Sequence, residues 1–146
     1  MSEIMNQIKK SIENEPLFAK YFNAFEEIEC RLHVEQSGDT DIEVLEIRGN
    51  TSKEDLTRFK MLKLYKSKSN QIIIVNIYLP DNMRRQGLGM KMISNIRELC
   101  NKHKSEFFID DMVPSFHKKM LRKGAVEVHH EAVQIVDETK LFLTQS

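Results

Sequence analysis

The sequence predicts one α+β domain: a mixed, mostly antiparallel central sheet with helices layered against it in the three-layer manner of α/β proteins. Three observations carry that prediction. RLHVEQ (31–36) and DIEVLEIRG (41–49) alternate apolar and polar residues, the period-2 pattern of half-buried strands. QIIIVNIYL (71–79) is β-branched and almost wholly apolar, which suits a central strand covered on both faces. An amphipathic helix and then a further strand, EFFIDDMV (106–113), follow it. Strand, helix and strand in that order make a crossover unit, so 71–79 and 106–113 form a parallel pair within the sheet.

The elements follow in chain order. Ile4, Ile8 and Ile12 recur at helical spacing, as do Leu17, Phe18, Tyr21, Phe22, Phe25 and Ile28, with Pro16 where a second helix would start. Residues 1–30 are therefore expected as two helices or one kinked helix. The turn chemistry of SGDT joins 31–36 to 41–49 as a hairpin. TSKEDLTR (51–58) has a cap-like start with acids in its first turn and is expected to be a short helix. FKMLKLYK (59–66) fits an extension of that helix or a strand; the strand is preferred because a hairpin through SKSN gives 71–79 an immediate partner. Leu88, Met92, Ile93, Ile96, Leu99 and Cys100 share one helix face. PSFHKKMLRKG (114–124) is a short helix with an early proline, Arg122 and Lys123 in its last turn and Gly124 as its stop. AVEVHHEAVQIV and TKLFLT, separated by DE, finish as two strands. No repeat, low-complexity tract or linker divides residues 1–146.

The 146 residues suffice for one buried core, and 40% apolar with 30% charged residues is ordinary for a globular chain. A formal net charge of zero offers nothing to nucleic acid or an anionic membrane. No apolar run approaches the roughly 18–20 residues of a membrane span, and MSEIMNQIKK lacks a signal-peptide core. Cys30 and Cys100, each at the end of an amphipathic helix, are expected as buried free thiols in a reducing cytoplasm.

NMRRQGLGMKMI (82–93) places two of the chain's five glycines, Gly87 and Gly89, at the start of a helix that glycine weakens. A helix start on the carboxyl side of a central strand offers unpaired N–H groups and partial positive charge. Glycines let an anion approach those groups, and Arg84 and Arg85 add charge beside them. The physical reading is a phosphate or pyrophosphate cradle on the amides of residues 85–90; the alternative is a tight strand-to-helix turn and nothing more. A dinucleotide fingerprint does not fit, because Met92 holds the third glycine position, and no G-x-x-x-x-G-K-S/T loop is present.

NIYLPDNMRRQGLGMKMI resembles the acyl-CoA-binding motif of the GNAT superfamily of N-acetyltransferases, in which a strand runs into Gln/Arg-x-x-Gly-x-Gly/Ala and then a helix. Arg84, Gly87 and Gly89 fill the specified positions, and Pro80 marks the strand exit. KKMLRKGAVEV resembles the family's next motif. The resemblance covers 71–136 well, 31–66 loosely and the N-terminal helices poorly. It implies a GNAT-like sheet whose parallel pair splays to admit the pantetheine arm of acetyl-CoA, with 71–125 as the acyl-CoA-binding core. Backbone groups of Ile77 and Leu79 would face the arm, and the Leu79 N–H would stabilise the oxyanion. The pyrophosphate would rest on the amides of Arg85, Gln86, Gly87, Leu88, Gly89 and Met90; Ser115 would touch the cofactor arm or only cap its helix. The implied activity is transfer of an acetyl group from acetyl-CoA to an amine of a small molecule or protein. Attack would be direct in a ternary complex, because no cysteine lies in the motif segments.

The catalytic groups are not assigned. The family's thiolate-protonating tyrosine is Met120 here, and Ala125 replaces the aromatic after the motif glycine. His117, one turn earlier, is a substitute acid or an exposed helix histidine; Tyr78 points away from the side Leu79 faces. Asp110 and Asp111, adjacent on a strand, face opposite ways; either of them, or Glu43 or Glu46, could orient a water or attract a cationic acceptor. His129 and His130 lack metal-ligand spacing, so no metal is expected. Lys91, Lys102 and Lys104 either reach a nucleotide phosphate or line a solvated face. Phe18, Phe22 and Phe25 are expected in the core, with a homodimer or partner interface as the alternative. A non-catalytic acyl-CoA sensor or interaction module, and a structural adaptor in which the glycines only turn the chain, complete the readings.

Overall fold

The computed structural model describes residues 1–16, 27–50, 59–77 and 87–141. Helix α1 (Glu3–Glu13) buries Ile4, Met5, Ile8 and Ile12 along one face and places Glu3 in the first turn, where its charge complements the helix dipole. Strands β1 (Glu27–Ser37), β2 (Thr40–Asn50), β3 (Phe59–Lys66) and β4 (Gln71–Ile77) form an antiparallel meander. Helix α2 (Leu88–Lys102) crosses over to β5 (Glu106–Ile109), which pairs with β4 in parallel. Helix α3 (Pro114–Arg122) then leads to the hairpin of β6 (Val126–His129) and β7 (Ala132–Ile135).

The seven strands lie in the order β1-β2-β3-β4-β5-β7-β6, and β4–β5 is the parallel pair among antiparallel neighbours. This is the mixed α+β sheet expected from the sequence, and 59–66 is the strand that its pairing with 71–79 favours. Leu45, Ile47, Leu62, Leu64, Ile72, Ile74, Phe107 and Ile109 form one cluster with α1 and with Leu88, Met92, Ile93 and Ile96 of α2. Val44 and Ile73 are buried outside that cluster, which alternation assigns to the opposite face.

Several expectations are corrected. β1 begins at Glu27, so residues 27–30 are not helical and Cys30 lies inside a strand. β5 stops at Ile109, and Asp111 adopts a left-handed φ of 54°, so Asp110–Val113 do not continue the strand. AVEVHHEAVQIV is not one strand but a hairpin turning at His130–Glu131. Residues 139–141 of TKLFLT are not in a strand. The second N-terminal helix over 17–26, the helix over 51–58 and the rest of TKLFLT lie outside the described residues. No helix among the described residues is long and apolar enough to cross a membrane.

Candidate functional site

The parallel pair opens into a fork. Its ladder ends at Ile74↔Ile109, closed by the Asp110 N–H donating to the Ile74 carbonyl at 2.7 Å. β4 continues to Ile77 against Leu62 of β3, and the register there changes from Leu64↔Ile74 to Lys63↔Asn76. Val75 is thus an extra residue, a bulge that bends β4 just where β5 leaves it. On the other side the chain swings outward: two residues past Asp110, the Met112 N–H donates to the Glu131 carbonyl in the β6–β7 turn at 3.0 Å. One wall of the fork bends with β4, and the other is tied to the hairpin beyond β7.

The start of α2 lies on the carboxyl side of β4. Gly87 is its N-cap, at φ 75° and ψ 7°, and the first helical bond runs from the Lys91 N–H to the Gly87 carbonyl at 2.9 Å. That left-handed conformation is why glycine stands there. Among the described residues no side chain caps the helix, and its first turn holds no acid. The amides of Leu88, Gly89 and Met90 precede the first residue that can donate within the helix, so their donor capacity is directed outward. A Cβ on Gly87 would meet nothing among the described residues within 4 Å. Donors, open space and the positive helix end suit an anion.

Of the expected site residues, the structure sets Ile77 at the end of β4 and Gly87, Leu88, Gly89 and Met90 at the head of α2. Leu79, Arg84, Arg85 and Gln86, with Tyr78, lie outside the described residues. Ser115 is exposed as the second residue of α3 and does not cap it, since the N-cap is Val113 without a side-chain bond. Lys102 and Lys104 are not phosphate contacts for this helix start: at about 1.5 Å per residue, the far end of α2 is about 20 Å away.

Met120, where the resemblance asks for a tyrosine, is fully buried among core residues that include Ala125, Val133 and Ile135. His117 is a correction: it is 6% exposed, not a surface histidine. Its Nε2 lies 3.0 Å from the His129 carbonyl, which can only accept, so that nitrogen carries the proton and is committed to the hairpin. It points toward the edge strand β6. Asp110 and Asp111 are also revised, because they sit past the end of β5 rather than on it. Asp110 stands at the fork with its carboxylate 3.5 Å from His129 Nε2.

No family model matches the chain, and no curated protein matches it. Among solved structures, it is similar to a protein from Agrobacterium tumefaciens provisionally assigned as an acetyltransferase, at 14% identity and a TM-score of 0.38 over 92% of this chain and 93% of that one. A likeness this distant bears no weight on its own.

The sheet also carries an ionic cluster that the sequence pattern did not reveal. His33 Nε2 lies 2.8 Å from Glu35 and 3.8 Å from Glu46; Arg48 binds Glu46 at 2.6 Å, and Lys63 sits 3.7 Å from Glu35 and 3.8 Å from Glu46. Glu46 is only 4% exposed. The hydrogen bond from His33 holds the Glu35 carboxyl below its usual range, with Lys63 assisting. The His33, Glu35 and Glu46 donor atoms lie within 4.8 Å of one another, a spacing a metal could bridge. Arg48 and Lys63 already balance both carboxylates, so the cluster reads as an ion network around the one buried member, Glu46. Its signal was latent: His33 and Glu35 share a strand face, but only the pairing register brings Glu46 beside them.

A groove of about 290 Å³ opens at the opposite end of the sheet, between the last turn of α2 and residues 134–138. Arg97 spans it, bonding the Ile135 carbonyl and the Asp137 carboxylate. Of the residues considered for the cofactor it collects Lys104 and none of those at the head of α2.

Proposed function

We propose that the chain is an N-acetyltransferase of the GNAT type, carrying an acetyl group from acetyl-CoA to an amine in the cytoplasm. The observation that supports it best is the fork: a bulged β4 and a diverging β5, with a glycine-fronted, uncapped helix start on the carboxyl side of β4. The fork offers an extended thioester arm a place between two strands. The amides of Gly87, Leu88, Gly89 and Met90 offer the pyrophosphate its donors. The nitrogen of a neutral amine would attack the thioester carbonyl, the C–S bond would then break to release the CoA thiolate, a leaving group good enough to depart without a dedicated acid, and the proton shed by the nitrogen would pass to solvent or to that thiolate. Arg84, Arg85, Gln86 and Leu79 complete the proposed cofactor contacts on the strength of the motif.

The test is thermal unfolding with and without acetyl-CoA, with adenosine diphosphate as control. Acetyl-CoA at about 100 times its Kd adds about 2.7 kcal/mol, or about 5–10 °C for a domain of this size. Gly89→Val, which places a branched side chain among the amides, removes that rise. An unchanged rise in the variant, or none in the wild type, would sink the cofactor assignment.

A second reading, a non-catalytic acyl-CoA sensor on the same fold, is favoured by the burial of Met120 and the commitment of His117 to the hairpin. Release of free CoA thiol in the presence of amines separates the two.

A further inference from the structure

We propose that His33, Glu35 and Glu46 form a binding site for a single divalent ion of the zinc class, which enters by displacing the Lys63 ammonium. The site is independent of the acetyltransferase reading. The pairing register builds it. His33 and Glu35 are alternate residues on one face of β1, Glu46 lies on the same face of β2 diagonal to His33, and Lys63 of β3 is the direct partner of Glu46. Two paired strands supply all three donors, and strands hold ligands more firmly than loops do.

His33 Nε2 lies 2.8 Å from Glu35 Oε1 and 3.8 Å from Glu46 Oε1, and the three donor atoms all fall within 4.8 Å of one another. Zinc takes nitrogen and oxygen ligands at about 2.0–2.2 Å, so in a tetrahedron its donors stand about 3.3–3.5 Å apart. The two separations from His33 bracket that value, and Glu35, the most exposed of the three, is the ligand with room to adjust. Glu46 is buried, and Arg48 grips its Oε2, with Nη2 at 2.6 Å and Nε at 2.8 Å. The Oε1 of Glu46 faces His33 Nε2 and Lys63 Nζ at 3.8 Å each, both beyond hydrogen-bond length. A buried carboxylate oxygen with contacts that long gains from an ion at about 2 Å, and Arg48 then serves as the outer partner that fixes a ligating carboxylate.

Lys63 stands 3.7 Å from Glu35 and 3.8 Å from Glu46, near enough to balance charge without a short bond to either. Its flexible stem lets the ammonium withdraw to solvent when an ion arrives. The Glu35 carboxylate can only accept from His33 Nε2, so that nitrogen carries a proton in the empty site, and the entering ion displaces it to solvent. One imidazole beside two carboxylates selects zinc, cobalt or nickel over magnesium or calcium, which take oxygen ligands. Water fills the fourth position, on the partly exposed side of Glu35.

The test titrates the full chain, freed of metal by a chelator, with zinc, cobalt and magnesium chlorides, by calorimetry and thermal unfolding. Zinc should bind at one ion per chain and, at about 100 times its Kd, raise the midpoint by about 5–10 °C, while magnesium at the same concentration leaves it unmoved. Cobalt should show the visible absorption of a four-coordinate site. His33→Ala and Glu35→Gln should each weaken zinc binding at least about tenfold; Glu35 is partly exposed, so its variant keeps the fold. Lys63→Met, which keeps the stem and removes the competing ammonium, should tighten zinc binding at least about tenfold. An ion network with no metal role predicts otherwise, since losing Lys63 would then cost stability and gain no affinity. His130→Ala, at the opposite edge of the sheet, should leave zinc affinity unchanged. The site is overturned by no zinc binding in the wild type, by an equal response to magnesium, or by undiminished affinity in both His33→Ala and Glu35→Gln. It is also overturned if Lys63→Met fails to tighten zinc, or if His130→Ala removes the binding, which would mark an adventitious surface ion only.

Discussion

Replacing Gly87 by alanine separates the local strain of the helix start from its use as an anion site. The backbone there is left-handed, at φ 75°, and an L-residue pays about 1–2 kcal/mol to adopt it. Among the described residues no steric term adds to this, since a Cβ would meet none of them within 4 Å. The expected loss is therefore about 1–2 kcal/mol, or about 2–8 °C in the unfolding midpoint. Gly87→Asn should lose less, because asparagine tolerates the left-handed region. Ligand binding should respond differently. A side chain in that open space stands in front of the amides proposed to hold pyrophosphate, so acetyl-CoA affinity should fall at least about tenfold, equivalent to about 1.4 kcal/mol. Thermal unfolding measures the first effect and titration calorimetry with acetyl-CoA the second. A loss above about 3 kcal/mol would show that the position is packed rather than open. A stability loss of the expected size with unchanged affinity would refute the link between this glycine and the cofactor.

Two further outcomes follow from the same reasoning. Gly124→Ala should cost more than Gly87→Ala, about 2–5 kcal/mol by thermal unfolding, because φ is 98° and a Cβ would lie 2.9 Å from the Glu138 carbonyl oxygen; equal losses would contradict the close approach. Burial pushes the Cys100 thiol up to about 12, whereas the unfolded thiol ionises near about 8.5. The neutral thiol is favoured in the fold, so its contribution is complete below about pH 8.5 and falls by up to about 1.4 kcal/mol per pH unit as pH rises toward 12. In urea unfolding, Cys100→Ala should therefore lose less stability than the wild type between about pH 8.5 and 10.5, and parallel losses would count against this linkage.

The sequence made the strands legible wherever one face is wet. Alternation in 31–36 and 41–49 gave the β1–β2 hairpin, and SKSN gave β3 its place beside β4. The start of β1 was hidden because Phe25 and Ile28 continue a helical spacing into residues that pair with β2. EFFIDDMV looked like one strand because a run of side chains cannot show where a partner strand departs. The ladder ends at Asp110, and the left-handed φ of Asp111 turns the chain away. The β6–β7 turn was missed because His130–Glu131 has none of the usual glycine or asparagine chemistry. At the head of α2, the glycine-marked helix start was legible because a left-handed turn is a local demand of the backbone. The partners of His117, Asp110 and Glu46 were not, because each is supplied by another element or by the pairing register.

The two rims of the sheet differ from its middle in what they will accept. β1 carries Glu29, Arg31 and Glu35 along its length, and β6 is four residues long, exposed throughout, with Glu127 in its centre. Charge on one rim and brevity on the other discourage a stray chain from adding itself there. The fork lies between two interior strands, where a newcomer would be flanked on both sides and shielded from competing partners. If the fork takes the extended arm proposed for it, a sheet guarded at its borders and open at its centre would admit that guest without inviting self-association.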